Sequence, residues 1–139
     1  MPASAPDAGP RRPFEYAIVR VVPRVERGER FNAGIIVFSR AHRFLGARAA
    51  LDDALLRALA PGCEPESVRP HHAAIERIAA VDPDGGPIAR LSAPERFHWL
   101  VAPSSTMIQA SEVHTGLTDD PATELEHLFA TLVTERLPV

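Results

Sequence analysis

Lysine is absent from this chain, and cysteine is nearly so. All fifteen basic residues are arginine, so no lysine can form a Schiff base with a carbonyl group or act as the cation of a P-loop. The single cysteine, Cys63, excludes an intramolecular disulfide and a metal site built from cysteines alone. A lack of lysine beside abundant alanine and proline is typical of a protein from a GC-rich bacterial genome.

A strong excess of one charge and long apolar runs are also missing. The net charge of −3 gives no general attraction to nucleic acid or to an anionic membrane. No segment approaches the roughly 20 apolar residues that span a bilayer. Residues 1–13 contain no apolar stretch of the kind that a secretory signal needs, so we expect a cytoplasmic protein. We also expect residues 1–13 to be a disordered tail and residues 14–137 to form a single domain.

Strand patterns open the folded part. FEYAIVRVV (14–22), FNAGIIVFS (31–39) and RFLGARAAL (43–51) are rich in β-branched and aromatic residues. Both faces of the first segment are mostly apolar, which predicts a central strand, and Arg20 places a charge inside its apolar run. The short connections favour antiparallel pairing.

Helical patterns follow. Asp52 can cap a helix over residues 53–60, and a second helix is predicted over about 69–80 because Pro70 fits a first turn. Two further helices are marked by a capping residue followed by proline, at Ser92-Ala-Pro-Glu95 and at Asp120-Pro121.

The remaining segments complete an α+β pattern. DPDGG (82–86) predicts a turn, and the alternation of TMIQASEVH (106–114) predicts a returning strand. Strands first, helices later and then one more strand indicate a small antiparallel sheet with helices packed mainly on one face.

Two segments resemble a known bacterial family, catalogued as domain of unknown function 3037. YAIVRVVPRVERGERFNAGIIVF (16–38) is similar to the opening of its members, and RFHWLVAPSSTMIQASEVHTG (96–116) is similar to a later part. The likeness covers about residues 14–136 and implies no established activity. Members are often encoded beside HipA-like kinases, so the resemblance implies such a kinase as a possible partner. The positions that match the opening pattern are Tyr16, Arg20, Pro23, Glu29, Asn32 and Gly34.

The polar stretch VERGERFNAG (25–34), between the first two predicted strands, is the best candidate for a site. Arg20, Glu29 and Asn32 could line a pocket for a small anion or a phosphate, since the guanidinium plane suits bidentate contacts. Glu29 could instead act as a general base.

A purely structural interpretation of the same stretch stays open. Glu29 could form an ion pair with Arg20, Arg30 or Arg96 at one end of the sheet, while Asn32 shapes the entry to the second strand. His114 is a further candidate, as a general acid or base or as an ordinary loop histidine.

Other motifs give little chemistry. Ser104, Ser105 and Thr106 could bind phosphate or cap turns. His71 and His72 point about 100° apart on a helix, so they do not share a face as metal ligands need. Phosphate-loop, dinucleotide and nucleophile-elbow motifs are absent, and we expect neither a cofactor nor a metal.

Two functions remain open at this point. The first is a non-enzymatic interaction or accessory domain that binds a partner or forms a homodimer, which predicts an exposed apolar patch or a large self-association interface. Trp99 fits such an interface, or the core, better than a platform for stacked bases. The alternative is an enzyme or ligand-binding domain for a phosphate-bearing small molecule or nucleic acid. Its constellation would be Arg20, Glu29, Asn32, Arg96 and His114, converging on one cleft.

Overall fold

An antiparallel sheet is organised around the first strand. The computed structural model describes residues 10–80, 87–103 and 107–134. On one side of β1 (Arg12–Val21) lies β2 (Phe31–Ser39), which in turn pairs with β3 (Phe44–Ala49). On its other side, β4 (Ile108–Ala110) and β5 (His114–Thr118) follow one another. The predicted central position of the first strand is confirmed.

The sheet separates two apolar layers, because neighbouring residues of a strand point to opposite faces. We call them the α4 face, which includes Ile18 and Ile35, and the α2 face, which includes Val19 and Ile36. Three helices pack on the α2 face, and the last helix covers the α4 face. The helices are α1 (Asp53–Leu59), α2 (Pro65–Ala79), α3 (Ala93–Val101) and α4 (Pro121–Phe129), with a 3-10 helix at Pro87–Arg90 and a π-helical turn at Ala130–Thr134.

The predicted fold class is confirmed. The chain is α+β, its sheet is antiparallel, and most of its helices lie on one face. The predicted caps also form. The side chain of Asp52 accepts from Leu55 N, that of Asp120 accepts from Thr123 N, and Ser92 makes a capping box with Glu95.

The start of α2 was predicted too late. The helix begins at Pro65, which takes the favourable first-turn position, and Pro70 lies inside it. A proline within a helix removes one backbone hydrogen bond. The packing of Val68 and Ile75 against the α2 face compensates for this loss, because a buried apolar side chain contributes about 1.5–3 kcal/mol.

The predicted strand 106–114 is divided into β4 and β5. Val19 and Tyr16 are three residues apart on β1, whereas their partners Ala110 and His114 are four residues apart. The segment between β4 and β5 therefore contains one extra residue, and Ser111 maintains the hydrogen bonds to β1 there. Its backbone N–H donates to Ile18 O at 2.8 Å, and its Oγ accepts from Ile18 N at 2.8 Å, so the ladder stays bonded.

A second bulge interrupts the pairing of β1 with β2. Val19 lies opposite Gly34 and Arg20 opposite Asn32, so Ala33 is an extra residue between the two pairs. The bulge puts Asn32 on the same face as Arg20, while Ala33 joins the core on the α2 face.

Several predictions concern residues outside the described ranges. They are the turn at 82–86, the hydroxyl residues Ser104 to Thr106, and the tail up to residue 9. Arg12 and Pro13, which were assigned to the tail, belong instead to β1 and pair with Thr118 and Leu117. Within the described ranges, no helix has the length and apolar character required to cross a membrane.

Candidate functional site

An apolar groove lies between α2, α3 and β4. Its volume is about 650 Å³, within the range of pockets that accept a ligand. Residues of α2 spaced three or four apart form one wall, and Val19, Ile108 and Ala110 provide strand residues. The lining residues are Val19, Ser67, Val68, His71, Ala74, Ile75, Ile78, Trp99, Leu100, Ala102, Pro103, Met107, Ile108, Gln109 and Ala110.

Trp99 stands at the edge of this groove. Its side chain is 51% exposed, whereas Phe97 on the same helix is 2% exposed and stacks on Phe38 with ring centroids 5.0 Å apart. The two aromatic residues therefore have different roles: Phe97 anchors α3 to the sheet, and Trp99 leaves a large apolar surface facing water. The exposed indole extends the apolar surface of the groove.

Among the described residues, the lining of the groove carries no formal charge. It contains no aspartate, glutamate or arginine, and the polar members are Ser67, His71 and Gln109. The two adjacent histidines behave differently, because His71 is exposed at the groove while His72 is buried and its Nε2 lies 2.7 Å from Ala33 O. Such a lining is suited to burying apolar surface, and it lacks a cation for a phosphate.

Three residues of the predicted constellation share the α4 face. Arg20 pairs with Asn32 of β2, and Tyr16, four residues away on β1, pairs with His114 of β5. The rings of Tyr16 and His114 have centroids 5.1 Å apart. Asn32 already has a structural partner, since its Nδ2 donates to Leu132 O at 3.0 Å and ties β2 to the end of the last helix.

Glu112 was missed by the sequence analysis and lies beside this cluster. Its Oε1 is 3.6 Å from His114 Nε2. A hydrogen bond from its own backbone lowers the pKa of Glu112, and the charges of His114, Arg20 and Arg30 lower it further. The carboxylate reduces the positive potential of the cluster. A signal was present in the sequence, because Glu112 is two residues from His114 on a predicted strand.

Glu29 does not join this group. It forms an exposed ion pair with Arg27, with Arg27 Nε 2.7 Å from Glu29 Oε1. The hydrogen bond from Arg27 is also the main cause of the lowered pKa of Glu29. The predicted partners Arg20, Arg30 and Arg96 were therefore wrong, because an arginine two residues away in the same turn reaches Glu29 first.

Arg96 lies on the other side of the sheet. It is 7% exposed on α3, and its Nη1 donates to Leu91 O at 2.9 Å. Within the described chain, Arg96 Nε has no hydrogen-bond partner. The sheet separates Arg96 from Arg20, Asn32 and His114, so these side chains do not converge on one cleft. The described ranges also contain no group of three or more His, Cys, Asp or Glu residues that could hold a metal ion.

Comparisons with known proteins agree with the likeness in the sequence. The profile of a family described as "Protein of unknown function (DUF3037)" matches residues 16–133. No curated protein and no solved structure matches the chain. The match spans both the VERGERFNAG stretch and the groove. The chain therefore belongs to the DUF3037 family.

Proposed function

We propose that this chain is a non-enzymatic interaction domain that binds another protein through the groove between α2, α3 and β4. The observation that carries the proposal is Trp99, 51% exposed at the edge of an uncharged apolar groove. Burying such surface in a complex is favourable, and tryptophan is enriched among the residues that dominate binding energy.

The proposed partner is a HipA-like kinase, as the family resemblance implies, and the complex would form in the cytoplasm. A second copy of the chain is the other candidate. Both occupants would cover Trp99, but only self-association depends on the concentration of this chain alone.

The test uses the purified chain and a purified HipA-like kinase. This chain has a single tryptophan, so its emission in a mixture with a tryptophan-free kinase variant, or a difference spectrum, reports on Trp99. Because Trp99→Glu has no tryptophan, isothermal titration calorimetry measures the affinity of the wild type and of the variants. We expect a complex that Trp99→Glu weakens at least about tenfold, since a buried unpaired charge is costly.

The matched control is Leu117→Glu. Leu117 is 52% exposed on β5 and does not line the groove, so it presents a similar exposed area at another place. We expect this variant to bind like the wild type. Equal loss in both variants, or no complex with the kinase and no self-association, would overturn the proposal.

A small-anion site on the α4 face is the second candidate function. Arg20 and His114 share that face with Tyr16, and the described part of the chain offers the Arg20 guanidinium no hydrogen bond or ion pair. Thermal shift with nucleotides tests it. Stabilisation of the wild type that is lost in Arg20→Ala would support this candidate, and no stabilisation would rule it out.

A further inference from the structure

We infer that the groove accepts the apolar face of an amphipathic α-helix supplied by the partner protein. This inference rests on the proposed function and specifies the chemistry of the bound segment. Three features of the groove carry it: the length of its α2 wall, the absence of charge, and the small side chains along it.

The α2 wall has the length of a short helix. It runs from Ser67 to Ile78, which is eleven residue steps, or roughly 17 Å at a rise of about 1.5 Å per residue. A partner helix lying along this wall would place about three turns in the groove. Helix-in-groove recognition uses apolar anchors at i, i+3 or i+4, and i+7, which is the same periodicity as the α2 wall itself.

The lack of charge in the groove determines which face of the partner helix can bind. No charged side chain of the described ranges lines the groove. The acidic residues of α2 that flank it are already bonded, since Glu66 accepts from Arg69 and Glu76 Oε2 accepts from Ala49 N at 2.7 Å. A charge on the docked face would therefore be desolvated without a partner, so that face must be neutral.

Small residues leave room for the anchors. Ala74 on α2, Ala102 after α3 and Ala110 on β4 all line the groove. Methyl side chains at these positions leave room for leucine or aromatic anchors above the half-buried Ile108 on the sheet. Trp99 at the edge would then cover the docked helix from one side.

The probe is a synthetic peptide of roughly 15 residues without aromatic side chains. Leucines at i, i+3, i+7 and i+10 form one face, and alanine, glutamine, glutamate and lysine fill the rest. A control peptide of the same composition has its leucines distributed around the helix. We expect the amphipathic peptide to shift Trp99 emission to shorter wavelength in a saturable way, and the control peptide to bind at least about tenfold more weakly.

Two alanines of α2 supply a matched pair of variants. Ala74 lines the groove, whereas Ala73 does not and points about 100° away. We expect Ala74→Arg to weaken binding of the peptide at least about tenfold and Ala73→Arg to leave it within about twofold. Thermal unfolding of both variants shows whether each is folded. If Ala74→Arg does not fold, His71→Glu takes its place, because His71 is exposed at the groove.

The outcomes separate this inference from the proposed function. Three results would refute a helical ligand. They are equal binding of both peptides, no saturable change in Trp99 emission, and equal binding of the peptide by the two alanine variants. If the peptides fail while Ala74→Arg still abolishes binding of the kinase, the interaction domain stands without a helical ligand. A concentration-dependent dimer that blocks the peptide and is lost in Ala74→Arg would identify a second copy as the occupant, and would also overturn the inference.

Discussion

Gly34 on β2 lies between Val19 of β1 and Ala49 of β3, and replacing it with alanine tests the packing of these three strands. A Cβ at this position would lie 2.8 Å from Arg48 O, 3.2 Å from Val19 Cβ and 3.4 Å from Ala49 Cα. The first contact is with a backbone oxygen of β3, which pairs with β2 and cannot move away without disturbing the ladder. Overpacking of this kind costs about 1–3 kcal/mol, and the rigid neighbour places Gly34→Ala at about 2–3 kcal/mol.

Thermal and urea unfolding of Gly34→Ala measure this cost. For a domain of this size, about 1 kcal/mol lowers Tm by roughly 3–4 °C, so we expect a decrease of about 6–12 °C. Gly62→Ala is the control, because nothing lies within 4 Å of a Cβ there and its φ is not in the left-handed region. We expect this control to be neutral or slightly stabilising. If Gly34→Ala were as stable as Gly62→Ala, the register of the three strands would be wrong.

Three further predictions concern stability. Ser111→Ala should destabilise the fold by about 1–3 kcal/mol in urea unfolding, because the buried N–H of Ile18 loses its acceptor. No loss relative to Ser67→Ala, whose hydroxyl is exposed, would contradict the bulge. Asn32→Ala should cost about 0.5–1.5 kcal/mol, because it removes the bond to Leu132 O, and an unchanged Tm would leave Asn32 without a structural role. Hydrogen bonds from Thr123 lower the pKa of Asp120 below 3.8, so its stabilising effect is complete above about pH 3.8 and is lost as the pH falls through the lower folded-state pKa. Stability against pH should therefore fall more steeply in the wild type than in Asp120→Asn, and parallel curves would refute the assignment of the cap.

The strands and caps were predictable because their signals are local. The apolar runs of β1 and β2 fix their pairing once the connection between them is short, and Asp52, Ser92 and Asp120 each cap a helix through a residue three positions away. The start of α2 was harder to predict from the sequence, because tertiary packing lets Pro70 remain inside the helix.

The groove could not be predicted from the sequence. Its residues come from α2, α3, β1 and β4, and only the fold brings Ile75, Trp99 and Ile108 together. The position of Arg96 could not be predicted for the same reason, since nothing in the local sequence indicates on which side of the sheet α3 packs. Glu29 was different, because its partner Arg27 is only two residues away and the pair is a local feature of the sequence.

Hydrogen exchange of the chain with and without the HipA-like kinase locates the surface that binds the kinase. We expect slower exchange over α2 from 67 to 78 and over 99–103 in the complex, with little change on β5 or in the loop 23–30. Protection confined to β5 and that loop, with α2 unchanged, would contradict this prediction and place the binding surface elsewhere on the molecule.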